Sequence, residues 1–139
     1  MARLPLITSI RNTVKRSRKN VFLRNDFASL GDYDQVGRAL RQLVTQGVLI
    51  KIGQGLYAKA KINRFTREPM PACPGGFYQV ATEALTRLNI KWKPDKAINE
   101  YQQGLTTQIP AKPTAIVYSR VSRKIAIKNK IIKIVKAVS

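Results

Sequence analysis

Between Tyr33 and Lys59 the hydropathy pattern switches from a helical to an extended period, which demands a helix running directly into a β-hairpin. In a helix over residues 33–46, Val36, Ala39, Leu40, Leu43 and Val44 share one face. Gln35, Arg38, Arg41, Gln42 and Thr45 share the opposite one. Asp32 and Asp34 stand at its start, where carboxylates cap free N–H groups, and Gly47 is placed to end it. Two β-prone runs follow, residues 48–52 and 56–59, joined by the turn Gly53-Gln54-Gly55.

The residues before this unit fit the same plan. Ile7, Ile10 and Val14 recur at helical spacing and predict a first helix over residues 5–16, closed by the basic cluster Lys15-Arg16-Ser17-Arg18-Lys19. Val21-Phe22-Leu23 reads as a short extended segment. A brief helix over residues 26–30 follows, with Phe27 and Leu30 turned inward and Gly31 as its breaker. Helix, extended entry, short helix, long helix and basic hairpin is the succession of a winged helix-turn-helix over residues 1–62.

That succession decides how the polar face of the long helix is read. Taken alone, the face suits any solvated amphipathic helix. Followed by a basic hairpin, its two guanidiniums and two carboxamides become groups able to pair with guanine and adenine edges in a major groove. Candidate DNA contacts are Tyr33, Gln35, Arg38, Arg41, Gln42 and Thr45 on the helix, with Lys51, Gln54 and Lys59 on the hairpin.

Charge points the same way. The chain of 139 residues carries 26 Lys+Arg against 7 Asp+Glu, a formal net charge of +19. Such an excess calls for a polyanionic partner. Residues 1–62 hold 12 basic and 3 acidic side chains and residues 63–139 hold 14 and 4, so the halves carry +9 and +10. With 44% hydrophobic residues in the chain, this is a basic folded protein and not a basic tail.

Other classes lose ground by composition. The chain has no histidine, and Asp32 and Asp34 are its one close carboxylate pair, so neither a metal centre, a cofactor site nor an acid–base constellation is predicted. We expect no enzyme. The single cysteine, Cys73, allows no intrachain disulfide and reads as an incidental thiol. No apolar run is long enough to span a bilayer, and MARLPLITSI lacks the apolar core of a signal peptide. The expected location is cytoplasmic, with no membrane partner.

A linker is predicted from Lys61, because residues 65–76 contain three prolines and adjacent glycines that should interrupt helix and sheet alike. Beyond it, residues 63–139 read as a small α+β module, giving an α+β chain overall. Its helix spans residues 77–89, with Phe77, Val80, Ala81, Ala84, Leu85 and Leu88 on the apolar face. Trp92 is expected as a partly buried anchor in preference to a base-stacking ring. A polar segment over residues 99–109 leads to a run at 115–118. Residues 124–127 and 130–136 then predict a C-terminal β-hairpin turning through Lys128-Asn129, with lysines alternating against isoleucines.

The chain resembles the AbiEi antitoxin family of type IV toxin–antitoxin and abortive-infection systems. The resemblance rests on the early helix, Val21-Phe22-Leu23, the run Val36-Gly37-Arg38-Ala39-Leu40-Arg41-Gln42-Leu43, Gly47-Val48-Leu49 and the hairpin from Lys51 to Tyr57. Pro110-Ala111-Lys112-Pro113, Tyr118-Ser119-Arg120 and Arg123-Lys124-Ile125 are similar to the family's following domain. The resemblance implies a bacterial repressor bound to inverted repeats at its own promoter, with Gln35, Arg38, Arg41 and Gln42 on DNA and Lys51 and Gln54 on the wing. It also implies a C-terminal region that antagonises a cognate toxin of nucleotidyltransferase type. Full members have a longer C-terminal domain. Inverted repeats can be filled by two monomers or a homodimer. Two other readings stand beside this one: an RNA-binding or ribosome-associated basic protein, and a winged-helix protein-interaction module.

Overall fold

The structure, a computed structural model, describes residues 5–94, 114–127 and 130–137. Its mixed α+β architecture begins with α1 (Leu6–Arg16), β1 (Val21–Leu23), a single 3-10 turn (Arg24–Phe27) and α2 (Tyr33–Thr45). Then come β2 (Leu49–Gly53), β3 (Leu56–Ile62), β4 (Pro69–Pro71) and α3 (Gly76–Arg87). The chain closes with β5 (Trp92–Pro94), β6 (Thr114–Val117), β7 (Ala126–Ile127), β8 (Lys130–Ile131) and β9 (Lys133–Lys136).

The first sheet runs in the order β1-β3-β2, all antiparallel, with β4 pairing the far end of β3. Successive strand residues point to opposite faces, and here both faces are apolar. Phe22, Leu49 and Tyr57 join Ile10, Val14, Phe27, Val36, Leu40 and Leu43 under α1 and α2. Val21, Ile52, Leu56 and Ala58 point the other way, into a cluster with Phe77, Val80, Ala84 and Leu85 of α3 and with Ala115, Val117, Ile125 and Ile132. The sheet is thus the middle layer of three, and one apolar cluster takes residues from both sides of residue 62.

Local chemistry explains where α2 starts and stops. The Asp32 side chain accepts a 2.8 Å hydrogen bond from the Gln35 backbone N–H, the N-cap expected of it. At the other end Gly47 adopts φ +77, a left-handed backbone that favours glycine. Arg11 of α1 donates to the Gln46 side chain and holds the two helices together at that end.

Three expectations change. The brief helix over 26–30 is instead the 3-10 turn Arg24–Phe27; the helical register stops at Phe27, so Leu30 is not carried inward and is 43% exposed. The proline-rich stretch is not free of sheet, because β4 pairs with Ala60–Ile62 inside it. Prolines at both ends of a three-residue edge strand leave its central residue, Met70, with its N–H, which such an edge tolerates. The C-terminal hairpin exists as β7–β8, Ala126 opposite Ile131, but it is short. At the buried Ile132 the chain leaves it, and β9 pairs in parallel with β6 in a second sheet, β5-β6-β9. The turn residues 128–129, the polar segment 99–109 and the 110–113 motif lie outside the described residues.

Helix α3 buries Phe77, Val80, Ala81, Ala84 and Leu85 on the predicted face, with Leu88 partly buried. Trp92 packs half-buried against the same cluster while its Nε1–H donates to Thr86 Oγ1 at 2.9 Å. Among the described residues no helix is long and apolar enough to cross a membrane.

Candidate nucleic-acid interface

The apolar stripe of α2 fixes which of its side chains face out. With Val36, Ala39, Leu40 and Leu43 buried, Gln35, Arg38, Arg41, Gln42 and Thr45 are all exposed. The Thr45 hydroxyl donates to Arg41 O at 3.1 Å, bonding back to its own helix. Tyr33, at the first turn, is 72% exposed, and the Arg24 guanidinium lies over its ring, 3.4 Å from the centroid. Arg24 also donates to Tyr33 O, while its Nε is buried without a partner among the described residues. This pair fastens the 3-10 turn to the start of α2.

Hairpin β2–β3 returns along α2 and brings its turn towards the helix N-terminus. Lys51 and Gln54 are exposed there, and Arg24 N–H donates to Gly55 O at 3.0 Å. Helix, 3-10 turn and hairpin turn bound an open groove of about 1090 Å³, shared by Tyr33, Arg41, Lys51 and Gln54. Gln35, Arg38, Gln42 and Thr45 lie outside its walls, around the exposed face of α2.

Lys59 is not brought to this surface. Its ammonium donates to Ser17 O at 2.7 Å, beyond the C-terminus of α1, and the side chain is half-buried. Conversely, three cations not expected at the site do line the groove: Arg24, Arg123 and Lys124. Sequence offered no local signal for them, since Arg24 lies in a turn and Arg123-Lys124 is some 70 residues from the hairpin it docks on.

Several acidic residues are tied up in the fold. Asp32 caps α2; Asp26 accepts from Leu23 N–H and pairs with Arg87 of α3. Glu83 accepts from Asn20 at its backbone N–H (2.8 Å) and its side-chain amide (3.2 Å), tying α3 to the entrance of β1. Among the described residues no carboxylate forms a salt bridge with Arg38, Arg41 or Lys51. Among the described residues, these three cations of the surface are therefore not tied up in salt bridges.

Among the described residues no group of three His, Cys, Asp or Glu is placed to hold a metal ion. Cys73 is buried in the cluster around α3, and burial pushes its thiol above the ordinary range, which disfavours the reactive thiolate.

No curated protein and no solved structure matches the chain. A family model matches residues 9–139, and by that match the chain belongs to the Family of unknown function (DUF6088).

Proposed function

We propose that this chain is a sequence-specific duplex-DNA-binding transcriptional regulator whose residues 1–62 act as a winged helix-turn-helix. The observation that carries the reading is α2: one face is locked into the core while the other exposes Gln35, Arg38, Arg41 and Gln42 beside a hairpin bearing Lys51 and Gln54. A helix held in that way enters a major groove as a rigid body. Arg38, Arg41, Gln35 and Gln42 then read base edges through paired hydrogen bonds, and Lys51 and Gln54 hold the phosphate backbone. Lys59, bonded to Ser17 O, supports the fold and takes no part in this contact. The net charge of +19 supplies attraction through counterion release, independent of sequence.

Within that function, the resemblance to AbiEi antitoxins favours an autorepressor that binds inverted repeats upstream of its own gene, with a nucleotidyltransferase-type toxin as the partner of its C-terminal half. The work is cytoplasmic and needs no cofactor and no catalytic residue.

The deciding experiment compares the DNA immediately upstream of the gene with a shuffled duplex of equal composition, by footprinting and by affinity at fixed salt. Protection of a symmetric site, with tighter binding than to the shuffled duplex, is the expected result. Equal affinity for both, or stronger retention of structured RNA, rejects the proposal.

A further inference from the structure

The groove beside α2 has a fourth wall, built from the C-terminal half. Arg123 Nη1 donates to Gln54 O, in the hairpin turn, at 3.2 Å. The backbones also approach each other: a Cβ on Gly53 would sit 2.9 Å from Lys124 O, too close for a real side chain, so glycine lets the two segments meet. The segment is anchored from behind by the fully buried Ile125, whose carbonyl accepts from Ile132 N–H. Arg123 and Lys124 therefore stand on a docked segment with exposed side chains, facing the same groove as Arg24, Arg41 and Lys51.

Five cations line this groove and one carboxylate does, that of Asp32, which is committed to capping α2. The groove is partly open to solvent and lies between α2 and the hairpin turn. One bond to Gln54 O leaves most of the five N–H donors of Arg123 for a ligand. Among the described residues none of these five cations forms a salt bridge with a carboxylate, and a row of such cations matches a chain of phosphodiesters.

From this geometry we infer that Arg123 and Lys124 are phosphate contacts, and that the groove holds one backbone strand of the duplex bound by α2. The C-terminal half is then part of the DNA-binding surface. This inference rests on the DNA-binding reading above.

The test uses the full chain and a fluorescently labelled mixed-sequence duplex of roughly 20 bp, two helical turns, with affinity measured over a salt series. Lys124→Gln is expected to flatten the plot of log affinity against log salt by about 1, and the double variant with Arg123→Gln by about 2. Thermal melting should be unchanged, and Arg123→Lys should keep the slope. Unchanged slopes in both variants, while Lys51→Gln flattens the plot, overturn the inference and leave the DNA-binding reading in place. Flattening by Arg123→Lys as large as the further flattening that Arg123→Gln adds to Lys124→Gln makes Arg123 a brace for the hairpin turn and overturns its phosphate role. Flattening with a labelled single-stranded RNA but not with the duplex assigns the groove to RNA and also overturns it. A wild-type chain that retains no duplex at any salt overturns the DNA-binding reading itself.

Discussion

Arg38 and Lys51 are both exposed cations, yet substituting them should have different consequences. Arg38 stands on the outer face of α2, where its planar fork can meet the O6 and N7 acceptors of a guanine. Arg38→Ala removes that fork and leaves a residue that favours helix, so the melting temperature should hold. Affinity for the upstream site should fall by about 1–3 kcal/mol, with a much smaller loss on a shuffled duplex. Lys51 is a point charge beside the hairpin turn, and its loss should weaken both duplexes alike. Equal losses for Arg38→Ala on the two duplexes would make Arg38 a phosphate contact and move base readout to Gln35, Arg41 and Gln42. Residues such as Lys59 show why charge alone does not define a contact: its ammonium closes the end of α1 on Ser17 O.

At the level of elements, α2 depends on its first turn. Asp32 satisfies the Gln35 N–H, one of four backbone donors that a helix start leaves unpaired. Asp32→Ala should lower stability by about 1 kcal/mol in urea unfolding, whereas Asp32→Asn, which keeps an acceptor oxygen, should be near neutral. If both variants unfold at the wild-type midpoint, packing of Val36 and Leu40 holds the turn without the cap. The helix, its cap, Gly47 and the hairpin were readable because each is specified within a few residues by period, capping side chain or turn glycine. The 3-10 turn was misread because four residues carry too little periodicity to separate it from an α-helix. The last strand was misread for another reason. Lys130 to Lys136 is extended throughout except at Ile132, and although the hairpin β7–β8 forms as expected, nothing local tells β9 to leave it and pair with β6. The candidate site divided along the same line: side chains on α2 were legible, whereas Arg24 and Arg123 reach the groove through tertiary docking.

At the scale of the molecule, the sheet β1-β3-β2 is covered on both faces, and this bears on whether residues 1–62 fold alone. Cut after Ile62, the chain would expose Val21, Ile52, Leu56 and Ala58, with Leu23 and Ile50 beside them, on the face that α3 now covers. The larger of these side chains contribute about 1.5–3 kcal/mol each on full burial. A domain's whole stability is roughly 5–15 kcal/mol, so losing several of them removes most of it. The cut also removes Glu83 from Asn20 and Arg87 from Asp26, and takes β4 from the end of β3. A fragment of residues 1–62 should therefore bind a hydrophobic dye, melt without a cooperative transition and retain DNA weakly. Adding residues 63–139 as a separate chain should restore a sharp melt if the two halves reassemble through that apolar face. A fragment that unfolds cooperatively as a monomer, with full affinity for the upstream duplex, would show instead that the layer of α1 and α2 suffices. In that case Arg123 and Lys124 would have no part in holding DNA.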